Sequence, residues 1–146
     1  MGKRVFTKCF AGGVEITAAE PTISLNIAPW LMQEEVSIIG VDMDLALETP
    51  SENDGFTSLT MEFSQIGAWG ADGSIASVSA YEGWNTTPAG ICGVNGHTSF
   101  FLPDGKSIDI KEEGALYLNS SSYGKTAGST HYRYVLTIFY EKKTGR

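Results

Sequence analysis

Two histidines, a pair of aspartates and a short acidic loop are the residues of this chain whose types could do chemistry. His97 and His131 are far apart in sequence, and neither has a Cys or His partner at the spacing of a zinc finger. Asp42-x-Asp44 puts two carboxylates on one face of a strand, which is also what the wet face of a half-buried strand looks like. Glu52-Asn53-Asp54-Gly55 has the composition of a calcium loop without the ordered ligand spacing of an EF-hand. No metal or other cofactor is expected from these residues. Nucleophile elbow, P-loop and H-E-x-x-H patterns are absent. Glycoside chemistry needs two acids facing across a cleft, and Glu112-Glu113 reads instead as a solvated turn. The expectation is a chain that is not an enzyme and has no catalytic residues.

Aromatic residues carry more information. Trp69, Tyr81 and Trp84 lie at or beside glycine-rich turns, where side chains are often exposed. Exposed tryptophans anchor protein interfaces or stack on sugar rings. Cys9 and Cys92 read as small apolar residues, buried and unpaired, in a chain without a disulfide framework. Asn85-Thr86-Thr87 and Asn119-Ser120-Ser121 match the glycosylation pattern, which acts only on a secreted chain.

The elements that position these residues are strands. Ile39, Val41, Met43, Leu45 and Leu47 alternate with Gly40, Asp42, Asp44, Ala46 and Glu48, the pattern of a strand with one face on a core. Before Ile39 the phase is opposite, with Val36 and Ile38 apolar, so one extra residue at Ile38–Ile39 predicts a β-bulge. Arg4 to Phe10 is a strand expected to end at a Gly12-Gly13 turn, followed by short strands at Val14 to Ala18 and Thr22 to Ala28. Residues 29–33 read as one helical turn. Phe56 to Ile66 fits a strand better than a helix, and Ser74 to Tyr81 alternates cleanly. Glu82 to Gly96 reads as irregular. Thr98 to Leu102 closes at Pro103-Asp104-Gly105, and two strands follow around Ile108 and Leu118. A serine-rich loop is expected from Asn119 to Thr130. His131 to Glu141 is apolar on both faces, with Tyr132, Tyr134, Leu136, Ile138 and Tyr140 on one and Val135 and Phe139 on the other. Two-sided apolar character implies a central strand or a face covered by another subunit.

Eight to ten short strands, turn signals throughout and no long helical pattern define an all-β, single-domain sandwich over residues 1–146, jelly-roll-like in size and strand number. Seventeen glycines among 146 residues exceed the usual share of roughly 7%, as many tight turns require. A net charge of −7 argues against a nucleic-acid partner, because phosphate binding needs a basic face. No apolar run reaches the ~20 residues of a membrane span. The first residues lack the apolar core of a signal peptide, so synthesis in the cytoplasm is expected.

The run Phe101-Leu-Pro-Asp-Gly-Lys-Ser-Ile-Asp-Ile-Lys-Glu-Glu-Gly-Ala-Leu-Tyr-Leu, then a Ser/Gly loop, then Tyr132-Arg-Tyr-Val-Leu-Thr-Ile-Phe-Tyr, resembles the closing strands of jelly-roll proteins in bacteriophage particles, including capsid decoration or cement proteins and other small virion components. The resemblance covers about forty residues and brings no catalytic residue with it. It implies a non-enzymatic virion protein that binds a larger virion protein, and the two-faced last strand adds self-association, as a trimer or other homo-oligomer. On this reading Trp69, Tyr81, Trp84, Val135 and Phe139 are interface residues. The alternative is a carbohydrate-binding module or lectin-like domain built on the same tryptophans.

Overall fold

The computed structural model describes residues 4–19, 22–27, 35–49, 57–70, 72–82, 93–103, 105–110, 116–123 and 129–142. The predicted helical turn at 29–33, the Glu52–Gly55 loop, Trp84, Asn85, Cys92 and Glu112-Glu113 lie outside them. The described residues form ten strands and no helix: β1 (Phe6–Thr17), β2 (Thr22–Asn26), β3 (Val36–Thr49), β4 (Thr57–Ser64), β5 (Ser74–Glu82), β6 (Gly93–Val94), β7 (Gly96–Phe101), β8 (Ile108–Ile110), β9 (Tyr117–Tyr123) and β10 (Ser129–Lys142).

Two antiparallel sheets contain them. The first has the order β1-β10-β3-β7, with β8 continuing the β7 edge along β3; the second has the order β2-β9-β4-β5-β6. The pairings nest: β1 with β10, β2 with β9, β3 with β7 and β8, β4 with β5. Nested hairpins distributed over two sheets are the jelly-roll arrangement. The fold is an all-β jelly-roll sandwich.

Alternation explains which side chains meet between the sheets. From the first sheet come Ile38, Val41, Met43, Leu45, Leu136 and Ile138; from the second come Leu59, Met61, Phe63 and Leu118, all 0–1% exposed. Each such side chain contributes about 1.5–3 kcal/mol by leaving water. Val36 and Ile38 occupy the same face as Val41 and Met43 because the strand bulges between them. Phe139 pairs with Gly40 and Tyr140 pairs with Ile38, leaving Ile39 unpaired in that ladder. The Ile39 carbonyl instead accepts the Leu102 N–H at 2.8 Å. The phase change in the sequence is therefore the predicted bulge.

Several expectations are corrected. Gly12-Gly13 is not a turn: β1 runs straight through it, paired with Tyr134 and Arg133. Glycine stands at 12 because the Tyr134 ring lies over it, and a Cβ there would come within 2.7 Å of the phenol oxygen. Asn119 to Tyr123 is not loop but most of β9, whose serines alternate between the sheet's two faces. Gly93–Val94 pairs with Glu82 and Tyr81 inside the stretch expected to be irregular. Cys9 is exposed on the outward face of β1 rather than buried, and it is a free thiol.

Candidate functional site

The outer face of the first sheet gathers the residues with the most distinctive chemistry. Register sets them in rows across β1, β10, β3 and β7. One row is Thr7, Phe139, Gly40, Phe101; the next is Cys9, Thr137, Asp42, Ser99; the third is Ala11, Val135, Asp44, His97. All point away from the core, because Ile138, Leu136, Val41 and Met43 between them point into it.

The first row is aromatic. Phe101 is 58% exposed, and its ring covers Gly40 so closely that a Cβ at 40 would stand 2.5 Å from it. Across that glycine it meets Phe139, with ring centroids 4.9 Å apart and planes tilted by 51°. Val135, 38% exposed, adds an apolar side chain two rows away on β10. Beside Phe101 the loop after β7 walls a cleft of about 530 Å³ lined by Ser37, Ile39, Lys106, Asp109 and Glu141 among others. Ser37 donates to Asp109 at 2.8 Å there, a cross-strand pair that orients the carboxylate.

The third row is polar at its β7 end. His97 faces Asp44 directly across the ladder, Nδ1 to Oδ1 at 2.6 Å, and its Nε2 lies 3.3 Å from Asp42. The hydrogen bond to Asp44 raises the His97 pKa above its ordinary value, opposed by desolvation and reinforced by the charges of both aspartates. Among the described residues these three are the group of side chains placed to share a metal ion. The second histidine, His131, is 3.7 Å from Glu15, its cross-strand partner, without a third ligand described beside it.

Structure separates the predicted interface residues. Val135 and Phe139 share the face just described. Trp69 lies on the other side of the molecule, 37% exposed, in the β4–β5 loop that folds over the outer face of the second sheet. That loop is held by Glu62, whose carboxylate accepts the Gly70 N–H at 3.0 Å and the Asn119 amide at 3.2 Å, while the same amide donates to the Ile66 carbonyl at 2.8 Å. Asn119 is fully buried beneath the loop, so it offers no nitrogen for glycosylation. Tyr81 pairs in backbone with Ser58 and Val94. The rest of the second sheet's outer face is rich in hydroxyls, among them the Thr60–Ser79 pair at 2.7 Å, with Tyr123 73% exposed.

Sequence reasoning did not select Phe101 or the Asp44–His97 pairing. Phe100-Phe101 places one ring on each face of a short strand, and that doubled aromatic was the available signal for Phe101. The His97 pairing depends on register between segments distant in sequence, which no local pattern encodes.

No protein-family model and no curated protein match the chain. Among solved structures it is similar to the 60-mer BFDV capsid protein, with a TM-score of 0.44 and 10% identity over 96% of this chain and 94% of that one. It is similar also to a subunit of the disulfide-linked pili that form Bacillus endospore appendages, at 0.41 and 12% over 97% and 91% of the two chains. A third similarity is to the virus-like particle of the Macrobrachium rosenbergii extra small virus, at 0.38 and 8% over 92% and 79%. These likenesses are distant, and the jelly-roll assignment rests on the strand order itself.

Proposed function

We propose that the chain is a non-enzymatic structural protein, residues 1–146 acting as one unit, that assembles with copies of itself and with a larger partner as a capsid decoration or other minor component of a virus particle. The observation that carries the assembly is the aromatic pair of exposed Phe101 and half-buried Phe139, continued by exposed Val135, on a sheet face with no described element over it. Apolar rings left in water are stabilised by docking, at about 1.5–3 kcal/mol for each side chain fully buried, before ordering costs. The virion setting is supported by the resemblance of the closing strands to small phage jelly-roll proteins.

Sedimentation equilibrium at micromolar concentration tests the reading. Wild type should self-associate, a trimer being the expected state, and Phe139→Ser should shift it toward monomer while preserving the β-type circular dichroism spectrum. Equal monomeric behaviour of both chains, with no binding to particles, would remove the proposal.

A carbohydrate-binding role is the second reading. It is favoured by Trp69 and Tyr123, exposed on the hydroxyl-rich side of the second sheet. A glycan array supports it if binding is lost in Trp69→Ala or Tyr123→Ala and kept in Phe139→Ser.

A further inference from the structure

We infer that Asp42, Asp44 and His97 form a surface site for a divalent transition-metal ion of the zinc and cobalt class. One ligand atom from each side chain lies within 4.8 Å of the others. An ion bonds nitrogen and carboxylate oxygen at about 2.0–2.2 Å, so its ligands stand roughly 3–4 Å apart, and small rotations about the side-chain bonds bring these three into that range. His97 already contacts both carboxylates, Asp44 through Nδ1 at 2.6 Å and Asp42 through Nε2 at 3.3 Å, so one of these contacts opens for a single nitrogen to share the ion with both.

Register fixes the three Cα positions. Asp44 and His97 are directly opposed on paired strands, and Asp42 is the next outward residue of β3. β3 is central and β7 is hydrogen-bonded to it at the edge of a sheet over a packed core, so little backbone entropy is lost on closing around an ion. Each imidazole nitrogen faces a carboxylate.

The donor set also selects the ion. Imidazole nitrogen suits zinc, cobalt and nickel, whereas calcium and magnesium prefer oxygen alone. Two carboxylates neutralise a divalent charge. Exposure of His97 and Asp44, at 57% and 50% of their side chains, leaves the remaining positions to water or to a group from a docked partner. The site does not depend on the proposed assembly, since all three ligands belong to one chain.

Titration of the full chain with Co²⁺, followed by its visible ligand-field bands, tests this. Wild type should bind one equivalent with bands of nitrogen and oxygen ligation and no thiolate charge-transfer band. His97→Ala and Asp42→Asn should each weaken binding by about tenfold or more, whereas His131→Ala should match wild type. Thermal melts of the metal-free variants establish that they are folded; all three side chains are on the surface. Absence of binding, equal binding by His97→Ala, a thiolate band, or displacement of Co²⁺ by equimolar Ca²⁺ would each overturn the assignment.

Discussion

Phe101 and Phe139 stand on strands that are not neighbours, yet their ring centroids lie 4.9 Å apart because the residue between them in the row is Gly40. Two strand spacings separate their backbones by roughly 9–10 Å. A side chain at 40 would hold the rings apart. The bulge at Ile39 brings this glycine onto the outer face, so a backbone irregularity inside β3 creates the aromatic surface.

Gly40→Ala should therefore act on the surface before the fold. The new Cβ displaces Phe101, an exposed ring with room to turn outward, and forfeits an aromatic pair worth about 0.5–1.5 kcal/mol. Urea unfolding should show a loss of that order, and sedimentation should show weaker self-association. Wild-type association in Gly40→Ala would mean the pair is not part of the interface.

Leu45→Asp should abolish soluble folding. Leu45 is fully buried, and an unpaired buried carboxylate costs several kcal/mol against a total stability of about 5–15. Asp44→Asn, one residue away but facing water, loses only an exposed pairing with His97, worth about 0–1 kcal/mol. Denaturation midpoints of the two variants give the comparison.

The contrast between those neighbours was legible in the sequence because alternation is local. So was the bulge, as a change of phase between Ile38 and Ile39, and so was the outward position of Val135 and Phe139. What local pattern could not supply was pairing at a distance. Gly12-Gly13 reads as a turn until Tyr134 is known to lie across it. Ser120 to Ser122 read as loop until β2 and β4 flank them. Asp42, Asp44 and His97 read as three separate solvated residues until β7 is placed against β3.

Alkaline pH should expose the burial of Tyr134. Desolvation holds its phenol above the ordinary value of 10.0, so the unfolded chain ionises first. The contribution is fully present below about pH 10 and is lost as pH rises through the folded value. Tyr134→Phe removes this group, and its stability should fall less steeply than that of wild type between about pH 9 and 11. Parallel curves for the two proteins would show that the phenol is solvated.

The β4–β5 loop offers a last test, on the opposite side of the molecule. Glu62 is 95% buried, since 5% of it is exposed, and its carboxylate joins Gly70 to Asn119. Removing it in Glu62→Ala leaves the Gly70 N–H without this acceptor and takes one of the two hydrogen bonds from the Asn119 amide, which keeps Ile66. Gly70 is exposed and its freed N–H turns to water, so the loss is that of ordinary hydrogen bonds, about 0.5–1.5 kcal/mol each. The loop is also tied to the sheet by Ser24, which donates to the Gly67 carbonyl, and by the Ile66 N–H, which donates to Ser64, so the loss should appear as local opening rather than global collapse. Hydrogen exchange should accelerate at Gly70 while Met61 and Val78 in the core strands keep their protection. Trp69 fluorescence should shift to longer wavelength as the indole gains water. Glu62→Gln retains an acceptor oxygen for Gly70 and should keep most of the protection. If Glu62→Ala leaves Gly70 exchange unchanged, the loop is held by its own turn geometry, with Gly70 and Gly73 at positive φ, and the buried carboxylate is not its anchor.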